Sequence, residues 1–108
     1  MSEELKLTER LGDPELAKKL TMLQLQEYFH NLEQKKGSDC LCPLCGSTHW
    51  YIPASPDSIE HPLILTMPIP AQKGIGIWVY PIYCKECAHM ILLEASQIVK
   101  HFVDAGKL

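Results

Sequence analysis

The sequence is poor in positive charge, and Arg10 is its only arginine. Ten basic residues stand against thirteen acidic ones, which gives a formal net charge of −3 with the histidines neutral. Surfaces that bind nucleic acids are normally basic, because they neutralise phosphates. A nucleic-acid-binding role would therefore require the few lysines to gather on one face.

A long uninterrupted apolar run is also missing. The chain begins with charged residues, and its most apolar region, residues 62–83, is broken by prolines and by Gly74 and Gly76. Such a segment cannot span a bilayer as a helix. We expect no secretory signal, no membrane contact and a cytoplasmic location, where thiols stay reduced and paired cysteines hold metal more often than they form disulfides.

The sequence offers no catalytic grouping that can be argued from residue types. It contains no recognisable Ser/His/Asp set, no pair of carboxylates expected to share a pocket and no phosphate-binding glycine loop, since residues 74–76 read only as a local turn. We therefore expect a protein that is not an enzyme.

The 108 residues fall into two parts of different composition. Residues 1–36 lack cysteine and tryptophan and are predicted to form a helical N-terminal segment. Residues 37–108 carry the cysteines and most of the prolines, with a Pro-rich insertion at 54–73 and a helix at the end. A hydrophobic content of 46% excludes wholesale disorder, but a domain this small often needs a metal or a disulfide beside its core.

In the first part, the pair Asp13-Pro14 predicts a helix start, with an N-cap acceptor followed by a proline. In one continuous helix two apolar sets would lie on roughly opposite faces: Leu16, Leu20 and Leu23, and then Met22, Leu25, Phe29 and Leu32. Alternatively the helix breaks near Thr21, where residues 21–24 fit a capping box. Both apolar sets favour core packing or dimerisation, and Leu25 and Phe29 are our candidate partner-binding residues.

In the second part, strands are predicted over residues 49–53, 64–67, 76–83 and 90–93. The last helix is predicted to begin near Glu94 or Ser96 and to stop at Gly106. Its apolar face consists of Ile98, Val99, Phe102 and Val103. We expect this face to cover one side of a small sheet.

Two cysteine pairs carry the strongest chemical signal, Cys42 with Cys45 and Cys84 with Cys87. Two residues between cysteines let both sulfurs point at one ion from a tight turn, whose backbone amides can donate to the thiolates. Gly46 follows the first turn, where a positive φ is often required. Two such turns complete a tetrahedral four-cysteine site, and we predict one structural Zn²⁺ there, closed to water and substrate.

This arrangement resembles the zinc-ribbon family over residues 42–95. The matching features are Cys-x-x-Cys-Gly, the aromatic pair Trp50-Tyr51, the strand-like run 79–83, and a second Cys-x-x-Cys followed by His89 and an apolar strand. The resemblance implies three short antiparallel strands whose two knuckles clasp the zinc. With helices at both ends, we expect an α+β fold built on an antiparallel zinc-ribbon sheet of three to four strands.

Two features depart from the family pattern. The cysteine pairs are separated by residues 46–83, which is long for a minimal ribbon, so residues 54–73 are an insertion. Ala88 stands where the family usually has a glycine, which predicts strain in the second knuckle. Four thiolates with one divalent cation add −2 to the formal charge of −3, so the zinc-bound chain carries about −5.

Three further residues are considered for the metal site. Cys40 lies too close to Cys42 to join the same tetrahedron comfortably, so we expect a free thiol that could replace a neighbour or respond to oxidation. His49 and His89 follow the two knuckles, and either could replace a cysteine ligand or donate to a thiolate. The alternative for both is an ordinary, partly exposed strand histidine.

Aromatic side chains supply the remaining candidates. Trp78 and Tyr80 are expected to share one face of the sheet, and with Trp50 they form a predicted partner-binding surface, because so small a core cannot bury every apolar side chain.

Zinc ribbons serve transcription, replication and ribosomal machinery, and many are only interaction modules. The leading functional prediction is a small adaptor or regulator that contacts protein, with a homodimer through the N-terminal helices as one form. The alternative is a nucleic-acid-binding or transcription-associated ribbon whose cations would be Lys73, Lys85 and Lys100, with Trp78 and Tyr80 beside them to stack on bases. A thiol-redox protein is a more distant alternative, because both cysteine pairs are flanked by strand-like sequence.

Overall fold

The computed structural model describes residues 14–71 and 76–108, and it confirms the α+β fold. The described helices are α1 (Pro14–Lys19), α2 (Met22–Lys36) and α3 (Ala95–Asp104). The described strands are β1 (Trp50–Tyr51), β2 (Ala54–Ser55), β3 (Ser58–Pro62), β4 (Leu65–Pro68), β5 (Gly76–Cys84) and β6 (Met90–Glu94). Strands β1, β4, β5 and β6 form one antiparallel sheet, while β2 and β3 form a separate hairpin.

The N-terminal helical region breaks at Thr21, as the capping-box alternative predicted. The Thr21 side chain accepts a 3.1 Å hydrogen bond from the Gln24 N–H, and the Gln24 side chain accepts a 3.0 Å bond from the Thr21 N–H. This exchange satisfies two amides that have no partner inside the helix. The break resets the helical phase, so the common face of Leu16, Leu20 and Leu23 that one continuous helix would have does not form: Leu20 is buried and Leu23 is 76% exposed. The predicted Asp13 cap lies outside the described residues.

Strand β5 is the centre of the main sheet. Val79 pairs with Leu65 on one side and with Glu94 on the other, and Tyr83 pairs in the same way with Tyr51 and Met90. Strands β1 and β4 therefore lie end to end along one edge of β5, and β6 runs along the opposite edge.

Pro81 lies at the position of β5 that faces the gap between β1 and β4. The Cys84 N–H donates to the His89 carbonyl at 2.8 Å, on the β6 side. Because the N–H and C=O groups of successive strand residues point in alternate directions, those of Ile82 and Tyr80 also face β6, and Pro81 faces the other edge. A proline without an N–H is accommodated there because no ladder hydrogen bond is required of it.

The predicted Pro-rich insertion contains more regular structure than the sequence prediction gave it. Strands β2 and β3 pair with a register shift between Ala54 and Ser55, and the Leu63 N–H donates to the Pro53 carbonyl at 2.8 Å, next to the Ala54–Pro62 pair. The predicted strand at 49–53 is correspondingly shorter, since only β1 pairs with the main sheet before the chain turns into the hairpin.

Helix α3 begins where the sequence predicted. The Glu94 carboxylate accepts from the N–H groups of Ser96 at 3.2 Å and Gln97 at 2.9 Å, which is an N-cap. Ile98, Val99 and Phe102 are buried, as predicted, whereas Val103 is 41% exposed and does not belong to the buried face.

The helices cover the inner face of the sheet, which we define as the row Trp78, Tyr80, Ile82 and Cys84 of β5 together with their paired neighbours. Tyr80 is buried in the same cluster as Ala17, Leu20 and Phe102. Its hydroxyl donates to the Ala17 carbonyl at 2.7 Å. The His61 ring nitrogen Nδ1 donates to the Leu20 carbonyl at 3.0 Å. These bonds satisfy carbonyl groups at the break between α1 and α2.

The opposite, outer face of the sheet is apolar, and it is exposed on the strands that flank β5, while Val79 and Pro81 of β5 itself are buried. It consists of the alternate row of β5 and the residues paired with it, and its five large exposed side chains are 39% to 51% accessible: Tyr51, Leu65, Met67, Met90 and Leu92. We predicted that the face with Trp78 and Tyr80 would be the exposed aromatic surface. For Tyr80 that prediction is wrong, because the helices pack on this face and bury it completely, whereas Trp78 stays half-buried.

Candidate metal centre

The two cysteine turns adopt the same backbone conformation. In the first, the Gly46 N–H donates to the Cys42 carbonyl and the Cys42 N–H donates to the Ser47 carbonyl, both at 2.8 Å. In the second, the Ala88 N–H donates to the Cys84 carbonyl at 2.9 Å. The Cys84 N–H donates to the His89 carbonyl at 2.8 Å, five residues further on, just as the Cys42 N–H donates to the Ser47 carbonyl. Two equivalent knuckles therefore present their sulfurs in the same way.

Each knuckle closes on a residue with a positive φ. Gly46 has φ 79°, as predicted, and Ala88 has φ 68°. The left-handed conformation costs an L-residue with a Cβ roughly 1–2 kcal/mol. The strain predicted from Ala88 in the glycine position therefore has a structural basis.

The sheet brings the knuckles together. Trp50 pairs with Cys84 in the β1–β5 ladder, and the Lys85 N–H donates to the His49 carbonyl at 2.9 Å. The chain leaving the first knuckle thus runs antiparallel to the chain entering the second. Residues far apart in sequence meet at one end of β5.

The four predicted ligands form one cluster, and all their sulfur atoms lie within 4.8 Å of one another. The Sγ atoms of Cys42 and Cys87 are 3.5 Å apart, and those of Cys45 and Cys84 are 3.6 Å apart. A tetrahedral ion with metal–sulfur bonds near 2.3 Å requires sulfur–sulfur distances of about 3.8 Å. The cluster therefore has the size that a metal ion with four thiolate ligands needs.

Backbone amides are directed at the sulfurs. Burial raises the pKa of Cys42, but hydrogen bonds from the N–H groups of Cys45 and Leu44 lower it. The net result is a pKa below the ordinary value for a cysteine. In the second knuckle burial also raises the pKa of Cys84, and the N–H groups of Cys87 and Glu86 bring it down to about 7. These donors favour the thiolate, which is the form that binds metal.

Cys87, the second cysteine of the second knuckle, shows why a cation is needed. The His89 N–H lowers the pKa of Cys87, but burial and the neighbouring thiols Cys42, Cys45 and Cys84 raise it to about 12. Four negative sulfurs at these distances repel one another. A divalent cation between them removes that repulsion, so the donor set fits a metal ion.

Cys40, His49 and His89 lie outside the four-sulfur cluster. Cys40 is half-buried, and its N–H donates to the Glu33 carboxylate at 2.7 Å. The exposed His49 ring contacts Glu86 at 3.2 Å and so joins the two knuckles from outside. His89 contributes through its backbone, because its N–H reaches the Cys87 sulfur. The structure does not bring any of the three into position as an alternative ligand.

The predicted partner-binding residues separate into two groups. Leu25 and Tyr80 are completely buried, so the prediction that they contact a partner is wrong. Phe29 and Trp50 are half-buried and meet edge to face, with ring centroids 6.3 Å apart. Trp78 is also half-buried, and the Lys18 ammonium lies 5.6 Å from its ring centroid.

The lysines of the nucleic-acid alternative do not form a described patch. Lys100 pairs with Asp104 at 3.0 Å on the exposed side of α3. Lys85 is exposed in the second knuckle, and Lys73 lies outside the described residues.

Comparisons with protein-family models, with curated proteins and with solved structures gave no match. Among the helices of residues 14–71 and 76–108, none combines the length and apolarity needed to cross a membrane.

The sequence analysis did not assign the outer face of the sheet as a surface, because β5 has apolar residues in both of its alternating rows.

Proposed function

We propose that this chain is a non-enzymatic structural zinc protein that acts as a small adaptor or regulator through contacts with another protein. The observation that carries the proposal is the cluster of four cysteine sulfurs within 4.8 Å of one another. Four thiolates fill a tetrahedral zinc site and leave no coordination position for a substrate or an activated water. The same donors also suit iron, so the choice of zinc is tested directly.

The surface offered to a partner is the outer face of the sheet. Its exposed side chains are Tyr51, Leu65, Met67, Met90 and Leu92. Several exposed apolar side chains on one face of a sheet are typical of protein interfaces, and the flexible thioethers of its two methionines adapt to different partner shapes. The partner we propose is a protein with a matching uncharged, apolar surface.

Two observations make this role preferable to nucleic-acid binding. Tyr80, one of the two aromatics assigned to base stacking, is buried, and the exposed outer face carries no lysine or arginine. The thiol-redox alternative is disfavoured because two equivalent knuckles point at one centre, whereas redox enzymes use one reactive pair.

Metal analysis of protein purified from its native cell tests the first half of the proposal. We expect one zinc per chain and no iron. A colourless protein that takes up Co²⁺ with the visible spectrum of tetrahedral thiolate coordination would support the site. Iron as the resident metal, or folded protein with no metal, would contradict it.

Affinity capture with three proteins tests the second half: the native chain, Met67→Asp on the outer face, and Ile59→Asp on the exposed hairpin strand β3. A specific partner should bind the native chain and the Ile59→Asp variant equally, and it should not bind the Met67→Asp variant. Direct titration of the purified partner should repeat this order. Retention of the native chain on single-stranded DNA with a steep salt dependence would instead favour the nucleic-acid alternative.

A further inference from the structure

Strand β6 has one paired edge and one open edge. Its Ile91 and Leu93 backbone groups face β5, because they lie opposite Ile82 and Tyr80. The N–H and C=O groups of Met90 and Leu92 therefore point away from the sheet. Over the two described ranges, no strand pairs with this edge.

The open edge lacks the features that protect other edges in the same sheet. The opposite edge is divided between the two residues of β1 and the four of β4, and β4 ends at Pro68. By contrast β6 is a regular run of five residues without proline, lysine or a bulge. Proteins usually blunt such an edge unless another strand occupies it.

Apolar surface flanks the edge on both faces of the sheet. On the outer face Met90 is 51% exposed and Leu92 is 44% exposed. On the inner face a pocket of about 160 Å³ lies between α2 and β6, and its apolar lining is Phe29, Leu32, Cys40, Ile91 and Leu93. A strand added to this edge would bury side chains on both faces.

The charges around the edge favour a second copy of the same strand. Residues 90–93 are uncharged, and the Glu94 carboxylate that follows is engaged in capping α3. The rim of the inner pocket carries Glu33 and Lys36 on α2, which have opposite signs. A two-fold related copy therefore meets no like-charge repulsion along β6. Its own Glu33 and Lys36 bring one negative and one positive charge to the rim, where the first copy also has one of each.

We infer that two copies of this chain associate through antiparallel pairing of β6 with β6, on a two-fold axis at Ile91. Met90 of one copy then exchanges backbone hydrogen bonds with Leu92 of the other, and the two four-stranded sheets become one. Antiparallel pairing of identical strands satisfies this symmetry without any other adjustment. The inference concerns the edge of the sheet and does not depend on the adaptor role proposed for its outer face.

The mass of the zinc-bound protein in solution provides the first test. We expect sedimentation equilibrium to give twice the chain mass of 12.2 kDa as concentration rises. Leu92→Lys should weaken the dimer at least about tenfold, because it puts two ammonium groups beside the seam. Ile59→Lys, on the hairpin away from the edge, should not. A mass that stays at one chain, or a dimer that Leu92→Lys leaves unchanged, would overturn the inference.

A crosslink provides a second test that does not depend on the folding of the lysine variant. In a Cys40→Ser background, Ile91→Cys places one thiol on the proposed axis, at a non-hydrogen-bonded pair of the kind that a disulfide can join. With zinc retained, mild oxidation should give a covalent dimer. Leu65→Cys, on the other edge of the sheet, is the control and should remain monomeric. Equal crosslinking of both variants, or binding of only an extended segment of another protein along β6, would refute self-pairing.

Discussion

The Tyr80 hydroxyl donates a 2.7 Å hydrogen bond to the Ala17 carbonyl, a residue 63 positions earlier in the chain. Ala17 lies in the last turn of α1, where carbonyl groups have no partner within the helix. The bond therefore ends the helix and attaches it to β5 at the same time. It lies on the covered face of the sheet, where Tyr80 belongs to the buried cluster under the helices.

Tyr80→Phe should destabilise the zinc-bound protein by about 1–3 kcal/mol, because it leaves the Ala17 carbonyl without its hydrogen bond in the core. Chemical denaturation followed by circular dichroism would measure the change. Tyr51→Phe, at an exposed position on the outer face, is the matched control and should change the unfolding free energy little. Equal effects of the two variants would contradict the role given to Tyr80.

Burial, and after it the Glu94 carboxylate, raise the pKa of Tyr80 above its ordinary value. The unfolded chain then releases the phenolic proton at a lower pH than the native state does. The stability from neutral Tyr80 is therefore fully present below about pH 10 and is lost as pH rises towards the native pKa. We expect the difference in unfolding free energy between the native chain and Tyr80→Phe to shrink above about pH 10. A constant difference across that range would contradict the prediction.

Ala88→Gly should stabilise the protein by about 0.5–1 kcal/mol. Glycine adopts the positive φ at the end of the second knuckle without strain. Part of this stabilisation is offset because glycine has more conformational freedom in the unfolded state. Ala105→Gly is the control. Ala105 has a right-handed backbone conformation at the end of α3, so glycine there should destabilise. Thermal unfolding of the three proteins with zinc bound should show shifts of opposite sign.

Thiol labelling should separate Cys40 from the four clustered cysteines. With zinc bound, a mild alkylating reagent should modify Cys40 alone, and after chelation it should modify all five cysteines, as mass spectrometry would show. Cys84→Ser should lose the metal, whereas Cys40→Ser should retain one zinc per chain. Loss of zinc from Cys40→Ser would mean that Cys40 is a ligand after all.

The sequence was sufficient to predict the parts of the fold that depend on local chemistry. The capping box at Thr21, the cap at Glu94 and the two cysteine knuckles all follow from residues within a few positions of one another. The pairing of the knuckles also followed, because four cysteines of one spacing fit one ion.

The buried face of the sheet could not be predicted, since β5 has no polar row to mark the solvent side. Trp78, Tyr80 and Ile82 alternate with Ile77, Val79 and Pro81, and both rows are apolar. The long-range contact of Tyr80 with α1 decides between them. The β2–β3 hairpin was missed because β2 has only two residues and β3 has only one residue of the β-branched or aromatic type, Ile59, although Pro56-Asp57 is a typical turn sequence.

The shortness of β1 means that the two ends of the molecule are held by different forces. The first knuckle is joined to the sheet by two residue pairs, Trp50 with Cys84 and Tyr51 with Tyr83, whereas the helical end is held by the apolar cluster around Tyr80 and Phe102. Stripping the ion should therefore fray the cysteine end first, and amide protons there should exchange with solvent long before those of α3. In a cell short of the metal, we therefore expect local unfolding of the cysteine end while the helical end stays folded.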